Sequence, residues 1–376
     1  MLRHLSAALA AVLTCVAAWI SGHAPVWPTA FAAPAPAPSC IGRSIFDLQP
    51  FRNANTYAHA SSAVLLRDGR IRAVWYEGPK ELSPNVKLWT ATYDGTRWSE
   101  ARPILDPAAT TAGTGRYVQK LANTLIFRDP EGRLVILFAS LGIGGWDTTS
   151  LKMMQSPDEG ETWTPPRSLT TTPTFNFATN VRGPAVAAEG GFTLIPTSHE
   201  FLQPFPEVTL LDSRDRVVGK RRIGISFRGS QPFITVLDKS RALAFMRVDD
   251  AYTLRSKTDD AGASWTEPEQ TTSPNLDSPV VVTPIGNSLL MVTTFYDRKQ
   301  LPWWLTFAVS TDAGRYWRTF YAKKYDWWAR YPWLMVGKDG LYHLLYTLLR
   351  ADNNTQLMHA RISRDWIAEN GGPACP

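Results

Sequence analysis

The sequence has few cysteines and histidines for its length, and it lacks a long hydrophobic run after its first forty residues. Its 376 residues include three cysteines and six histidines, and these do not cluster with carboxylates at the spacing of a zinc site. A Gly-x-Ser-x-Gly elbow and a phosphate-binding loop are also missing. These absences argue against a metal or other cofactor, a serine-hydrolase triad, nucleotide chemistry and a membrane span beyond the N-terminus.

Charge of either sign is modest. Charged residues make up 19% of the chain, and the formal net charge is +6. The basic residues are scattered, and the clusters at 219–222 and 323–324 are typical of solvated turns. This pattern argues against a nucleic-acid partner and mildly favours an anionic one.

The N-terminus has the features of an export signal. A basic start precedes the apolar run "LSAALAAVLTCVAAWI", and "AFA" at 30–32 offers small residues for cleavage after Ala32. We therefore predict a signal peptide at 1–32, a Pro/Ala-rich mature N-terminus at 33–40 and a single domain at 41–376. The mature protein would be secreted or periplasmic, and an uncleaved anchor is the alternative.

Removal of that signal leaves two cysteines, Cys40 and Cys375, at opposite ends of the mature chain. In an exported protein such a pair predicts one disulfide. The bond requires the two Cα atoms to lie within about 7 Å of each other. The fold must therefore bring the chain ends together.

An eight-residue motif recurs along the chain. "SPDEGETW" (156–163), "TDDAGASW" (258–265) and "STDAGRYW" (310–317) fit S/T-x-D-x-G-x-x-W, and "TYDGTRW" is a shortened copy ending at Trp98. The interval between the first two copies is twice that between the last two, so a degenerate unit belongs near residue 212. A further unit, "LMHARISRDW", ends at Trp366. Six units of about 50 residues indicate a propeller or a solenoid.

Each unit shares one internal plan. A polar cluster leads into an apolar strand, a turn and a second strand, as in "HASSAVLLRDGRIRAVWYEG" (59–78), and a third strand runs into the motif. Four short antiparallel strands of this kind make a propeller blade. The predicted fold is all-β, a six-bladed β-propeller, monomeric, whose closure also brings the two cysteines together.

The motif resembles the Asp box, the bacterial neuraminidase repeat of the sialidase superfamily. That box is a peripheral turn between the third and fourth strands of a blade. Asp and Ser side chains can bond the turn amides, Gly takes a positive φ and Trp packs between blades. We therefore expect Asp158, Glu159 and Glu161 to be structural, and to form neither a calcium loop nor a catalytic pair.

Polar residues recur where the inner strand of each unit begins, where a buried strand should be apolar. They lie at 59–61, 120–123, 180–182, 228–231, 275–277 and 330–331. We expect them to form a polar funnel at one mouth of the central channel.

Over residues 55–365 the chain resembles a divergent branch of sialidase-like proteins. In the superfamily, arginines clamp the substrate carboxylate, a tyrosine beside a glutamate is the nucleophile, and a loop acid is the acid/base. The resemblance makes Tyr331 the nucleophile and Glu77 or Glu81 the acid/base. It assigns the carboxylate to Arg247 and Arg298, with help from Arg182 or Arg330, and adds Gln231 and Asp277 as substrate-binding residues.

Two positions depart from the superfamily pattern. His59 stands where the first arginine is expected, and Gln231 stands where the glutamate beside the nucleophile is expected. His59 can bond a substrate hydroxyl or act as a base. The resemblance implies an exo-α-sialidase type of glycoside hydrolase acting on anionic glycans. The alternatives are another anionic-glycan hydrolase, a polysaccharide lyase using His59 and Tyr331, or a propeller that binds glycans without turnover.

Overall fold

The predicted six-bladed propeller is confirmed by the sheet topology. The computed structural model describes residues 27–34, 36–172, 176–225, 229–248, 252–275, 277–297, 300–350 and 354–375. The strands of the described chain form six antiparallel sheets. Five of these sheets are built from strands that are consecutive in the sequence, and the sixth combines the first strand with the last three. Each sheet is one blade, and the first strand of each blade lines the central channel.

Blades 1 to 3 follow each other along the chain, and in blade 3 the inner strand is split in two. Blade 1 consists of β2 (Tyr57–Leu65), β3 (Ile71–Gly78), β4 (Lys87–Tyr93) and β5 (Arg102–Leu105). Blade 2 consists of β6 (Lys120–Arg128), β7 (Leu134–Leu141), β8 (Ser150–Ser156) and β9 (Arg167–Ser168). Blade 3 consists of β10 (Thr179–Val181), β11 (Val186–Ala188), β12 (Phe192–His199), β13 (Phe205–Leu211) and β14 (Val217–Arg222).

Blades 4 to 6 complete the circle. Blade 4 consists of β15 (Ser230–Val236), β16 (Ala242–Arg247), β17 (Tyr252–Thr258) and β18 (Glu269–Pro274). Blade 5 consists of β19 (Val281–Ile285), β20 (Ser288–Asp297), β21 (Gln300–Ser310) and β22 (Arg318–Tyr325). Blade 6 consists of β23 (Trp328–Val336), β24 (Tyr342–Leu349), β25 (Thr355–Ile362) and β1 (Phe46–Ala54).

The outer strand of blade 6 comes from the other end of the chain. β1 pairs antiparallel with β25, so the N-terminal segment closes the ring. The expected disulfide joins Cys40 to Cys375, with their Cα atoms 6.0 Å apart. Trp366, which the sequence suggested as the end of a sixth motif, instead lies in a short helix, α2 (Arg364–Glu369). It stacks on Phe46 of β1 at 4.4 Å between ring centroids.

The second strand of a blade is buried on both faces, because neighbouring blades pack against it from either side. Every residue is buried in β3, β7 and β24. This burial explains why the segments "IRAVWYEG", "LVILFASL" and "YHLLYTLL" are nearly continuous apolar runs without alternation.

The Asp boxes lie where the resemblance implied, between the third and fourth strands. In the box at 156–163, Ser156 Oγ accepts from Gly160 N at 2.7 Å, and Asp158 Oδ1 accepts from Thr162 N at 2.9 Å. Hydrogen bonds from Thr162 lower the pKa of Asp158 to about 2. Glu159 bonds Arg128 and Glu161 bonds Arg72. These acids fix a turn.

The face that carries these turns, here called the box face, lies opposite the one where the inner strands begin. We call the latter the entry face. It also carries the loops from second to third strands, since Tyr57, the first residue of β2, pairs with Gly78, the last of β3. The α-helix that precedes blade 2, α1 (Pro107–Thr114), lies among the connections to the next inner strand and is capped by Asp106.

A segment inside the predicted signal peptide is built into the propeller. Phe31 is 1% exposed, in a core shared by blades 3 and 4, and its N–H donates to Lys239 O at 2.7 Å. Trp27 Nε1 donates to Ala261 O at 3.1 Å. Cleavage after Ala32 would remove both contacts. Residues 1–26 lie outside the described residues.

The predicted Pro/Ala-rich linker crosses the box-face mouth of the channel. Pro34, Pro36 and Ala37 line a cavity of about 540 Å³ together with the far ends of the inner strands. The channel's polar end is therefore reached from the entry face. In the part of the chain that the structure describes, no helix is long and apolar enough to cross a bilayer.

Candidate functional site

The inner strands share an unusual backbone conformation at the entry face. One non-glycine residue near the start of the strand, or just before it, has a positive φ in all six blades: Ala60 (53°), Asn123 (22°), Ala178 (61°), Gln231 (50°), Asp277 (57°) and Tyr331 (54°). In four of these blades the strand register slips at that point. Such a bulge costs on the order of 1–3 kcal/mol and re-aims a side chain. The polar residues of the predicted funnel therefore occupy special backbone positions.

Three of the residues with a positive φ meet at one arginine. Arg247, the last residue of β16, donates from Nε to Asp277 Oδ1 at 2.7 Å. Its Nη1 donates to Gln231 Oε1 and to Tyr331 Oη, both at 3.0 Å. Burial opposes the charge, but Tyr331 and Asp277 raise the pKa of Arg247 above its ordinary value. Arg247 thus joins blades 4, 5 and 6 and places its charge against the Tyr331 oxygen.

The ring of Tyr331 is fixed on two sides. The imidazole of His59 meets it edge-on at 4.4 Å between centroids, and the guanidinium of Arg182 lies 5.0 Å from its centre. Arg182 donates to main-chain carbonyls, including those of Ala60 and Tyr331, at 3.1–3.2 Å, and burial lowers its pKa to about 10. It was predicted to bind substrate, but its guanidinium is engaged beneath Tyr331 and positions that residue.

His59 is a neutral histidine. It is 1% exposed, and its Nδ1 has no hydrogen-bond partner among the described residues. Burial, with Arg330, Arg182 and Arg247 close by, holds the pKa of His59 well below its usual range. His59 therefore does not replace the charge of the arginine expected at this position.

The structure separates the two candidate acids. Glu77 is 4% exposed and accepts from Arg52 Nε and Nη2 at 3.1 and 2.7 Å, from Thr56 at 3.1 Å and from Trp75 Nε1 at 2.9 Å. Four donors satisfy both carboxylate oxygens. Because Arg52 belongs to β1, Glu77 links blade 1 to blade 6 and has no free oxygen for a substrate.

Glu81 lies in the exposed entry-face loop between β3 and β4. It accepts from Tyr57 Oη at 3.1 Å and from Tyr76 Oη at 3.4 Å. The Tyr57 ring lies 5.2 Å from the His59 ring, which in turn packs on Tyr331. A short series of contacts therefore connects Glu81, an exposed residue of the entry face, to Tyr331.

The two tyrosines that hold Glu81 were missed in the sequence. Burial and the nearby Glu81 raise the pKa of Tyr57, so it remains a neutral hydrogen-bond donor. Tyr76 is fully buried and behaves likewise. A signal for Tyr57 existed, since it stands two residues before His59 on the same strand and shares its face.

Arg330 is a second cation of the site. Its guanidinium lies 5.2 Å from the Trp303 ring and 5.7 Å from the Trp328 ring, and its charge acts on both Tyr57 and His59. Among the described residues no carboxylate pairs with Arg330. Arg298, the other predicted carboxylate ligand, lies outside the described residues.

A metal site does not emerge from the described residues. The one group of three candidate ligands found there is Cys40, Cys375 and Asp365. Both cysteine sulfurs of this group are in the disulfide. The chemistry of the entry face rests on arginine, tyrosine, histidine and carboxylate side chains.

Comparison with known proteins agrees with this architecture. Residues 69–344 match the model of the family described as BNR repeat-like domain. A search of the curated proteins finds no match. Among solved structures, the NanB sialidase of Streptococcus pneumoniae superposes with a TM-score of 0.67 at 11% identity, over 85% of this chain and 71% of that chain.

Two further structures have the same fold. A Trypanosoma rangeli sialidase solved with the inhibitor DANA gives a TM-score of 0.65 at 15% identity, over 84% of this chain and 59% of that one. An intramolecular trans-sialidase of Ruminococcus gnavus gives 0.64 at 13% identity, over 88% and 99%. At such identities the likeness establishes a shared fold, and the activity has to be argued from the site.

Proposed function

Since the chain belongs to the family of BNR repeat-like domains, with the sialidase-like propeller fold, we propose that it is an exported glycoside hydrolase that releases a terminal acidic sugar. The observation that carries the proposal is the hydrogen bond of 3.0 Å between Arg247 Nη1 and Tyr331 Oη. A cation held against a phenol oxygen stabilises the negative charge that develops there during the reaction. An anionic tyrosine is the nucleophile by which sialidases depart from the two-carboxylate rule.

The arginines of the site fit an acidic sugar. Arg330, with no carboxylate partner among the described residues, and Arg247 would hold the sugar carboxylate by charge-assisted hydrogen bonds. Asp277 holds Arg247 from the other side at 2.7 Å and fixes its orientation. Neutral His59 packs edge-on against the Tyr331 ring and helps to fix it. Arg298, which lies outside the described residues, stays a predicted third ligand of that carboxylate.

The first chemical step forms a tyrosyl–sugar bond. The Tyr331 proton passes to water, and Arg247 stabilises the phenolate. The phenolate oxygen attacks the anomeric carbon as the bond from that carbon to the leaving oxygen breaks. Glu81, as the carboxylic acid, gives its proton to the leaving oxygen, so the aglycone departs as a neutral alcohol.

The second step returns the enzyme to its starting state. Glu81, now a carboxylate, takes a proton from a water molecule that attacks the anomeric carbon. The bond from that carbon to Tyr331 breaks, and the phenolate, stabilised by Arg247, takes back from water the proton it lost in the first step. Two displacements at one carbon give overall retention of configuration. Tyr57 and Tyr76 would hold Glu81 in place for both steps.

Hydrolysis of a fluorogenic sialoside between pH 4 and 8 tests the proposal. Turnover by the wild type that is lost in Tyr331→Phe supports it, because the substitution removes the attacking oxygen alone. Absence of turnover by the wild type across this range would reject sialidase activity. Circular dichroism of both proteins checks that the propeller is intact.

A propeller that binds acidic glycans without cleaving them is the second candidate. It is favoured by Gln231, whose amide oxygen bonds Arg247 at the position where a carboxylate base is expected and cannot take the Tyr331 proton. This candidate predicts binding on a glycan array, no turnover, and equal binding by wild type and Tyr331→Phe.

A further inference from the structure

A second pocket opens on the entry face, above blade 2. It has a volume of about 350 Å³ and lies among three connections: the one that contains α1, the one between β7 and β8, and the one that leads to β10. The polar residues that line it include Arg116, Ser140, Ser150, Lys152 and Asn176.

Lys152 is the unusual member of this pocket. It is 2% exposed, and its Nζ makes one hydrogen bond, to Ser150 Oγ at 2.8 Å. No described carboxylate lies within ion-pair distance. Burial, with the charge of Arg116 nearby, lowers the pKa of Lys152 to about 8. An ammonium group has three donors, so two remain unused.

A purely structural role does not account for this lysine. Buried charges are normally paired, since removing one from water costs several kcal/mol. Lys152 lies opposite Phe138 of β7 and Ser168 of β9. A methionine would fill the same space without that cost. The amine is therefore placed as a binding group would be, with a hydroxyl to orient it and a cavity in front.

The pocket is close to the channel. Asn176, on its rim, precedes Asn180 by four residues, which span at most about 14 Å of backbone. Asn180 Oδ1 accepts from Asn123 Nδ2 at 2.9 Å, and Asn123 is one of the bulged inner-strand residues. One short segment thus connects the second pocket to the central site.

We propose that the Lys152 pocket binds the carboxylate of a second acidic sugar, adjoining the one held at Tyr331. This reading rests on the proposed function for the identity of the substrate. Lys152 and Arg116 supply positive charge, and Asn176 leaves its amide nitrogen as a donor because its Oδ1 accepts from Thr171 N at 2.7 Å. The exposed ring of Tyr117 offers a face for a sugar ring.

The first test measures the amine directly in the whole mature protein. Lysines are labelled with ¹³C at Cε, and the Lys152 signal is assigned by its loss in Lys152→Arg. Sodium acetate is titrated at constant ionic strength. We expect a saturable shift of this signal and a rise in the pKa of Lys152. A Lys152 signal that responds to neither acetate nor a disialylated glycan overturns the proposal.

The second test separates a second sugar from a free anion. Three proteins that all carry Tyr331→Phe, which prevents turnover, are compared: one with Lys152 unchanged, one with Lys152→Met and one with Lys152→Arg. The affinity of each is measured for monosialyl-lactose and for disialyl-lactose. A charge-assisted hydrogen bond predicts that Lys152→Met weakens binding of the disialylated glycan by about tenfold or more. Binding of the monosialylated glycan should not change, and Lys152→Arg should restore part of the loss.

The outcomes are distinct. Lys152→Met could weaken the binding of both glycans equally, or of neither, while the Lys152 signal still shifts with acetate. Either result would mean that the pocket binds free anions and would overturn the proposal of a second sugar. If neither glycan binds and no sialoside is cleaved while Lys152 still responds to acetate, the proposed function fails and the anion pocket remains.

Discussion

Arg247 Nη1 lies 3.0 Å from Tyr331 Oη and 3.0 Å from Gln231 Oε1, so one guanidinium nitrogen serves two inner strands. The three residues come from blades 4 and 6, and both acceptors sit on backbone with a positive φ. The bulges bring these oxygens to Arg247. The geometry makes Arg247 the organising charge of the entry face.

Arg247→Lys should lower kcat/KM by about 10²-fold, the size of effect seen when one donor to a developing anion is lost. Lysine keeps the charge but cannot bond Asp277, Gln231 and Tyr331 together. The measurement is steady-state hydrolysis of a fluorogenic sialoside. Arg241→Lys is the control, because Arg241 makes a similar bond to Asp238 on an exposed turn of the same blade. Equal activity of the two variants would contradict the role of Arg247.

Glu81→Gln and Glu77→Gln should have opposite effects. Glu81→Gln removes the proposed acid/base and should lower kcat by about 10²–10⁴-fold with little change in stability. Glu77→Gln breaks a buried ion pair and should cost about 2–3 kcal/mol of unfolding free energy, with little change in kcat of the folded protein. Urea denaturation and initial rates on both variants provide the comparison. A large loss of kcat in Glu77→Gln alone would reverse the assignment.

The mature protein should begin at or before Trp27. Phe31 is buried between blades 3 and 4, so a cut after Ala32 would empty its site. Intact-mass analysis of the exported protein gives the N-terminus directly. Phe31→Ala should cost about 3–5 kcal/mol of stability. The prediction is contradicted if the measured mass corresponds to a chain that begins at Ala33 and Phe31→Ala leaves the stability unchanged. The segment from Trp27 to Ala32 would then be dispensable.

His359 should make the fold less stable in acid. It stacks on His343 and accepts from Trp98 Nε1 at 3.1 Å, and burial lowers its pKa to about 3. An unfolded histidine binds its proton near pH 6.5, so between pH 6.5 and 3 the unfolded state holds more protons. Stability then falls with falling pH by up to about 1.4 kcal/mol per unit from this group.

Unfolding free energies at pH 5 and 7 measure that dependence. His359→Gln keeps an acceptor for Trp98. It should reduce the dependence of unfolding free energy on pH by the contribution of His359, and the contribution of buried His59 should remain. An unchanged slope would mean that His359 is not a neutral group in the folded state.

The architecture followed from the sequence because the Asp box is a local signal. Ser, Asp, Gly and Trp at fixed spacing build a turn from their own side chains, as Ser156 and Asp158 do, so the spacing of the boxes counts the blades. Blade 6 broke the pattern, because its outer strand is β1 and Trp366 belongs to a helix. Chain closure is a tertiary event with no local motif.

The site was harder to predict because its geometry is set between blades. Tyr331 and Gln231 stood among the polar residues that begin the inner strands, whereas Arg247 was implied by the resemblance alone. Glu77 and Glu81 could not be told apart, since the difference lies in Arg52, a residue on a strand contributed by another blade. Tyr57 and Tyr76 were overlooked for a different reason, because their contact with Glu81 depends on how an entry-face loop of blade 1 folds back.

The central claim is that Tyr331 attacks the sugar, and covalent trapping tests it most directly. A 2,3-difluorinated acidic sugar slows the second displacement through its fluorine at C3, and fluoride leaves without help from an acid. We predict a mass gain of one sugar that maps to Tyr331, in wild type and in Glu81→Gln, and none in Tyr331→Phe. An adduct on another residue, or no adduct in a wild type that cleaves sialosides, would contradict the account.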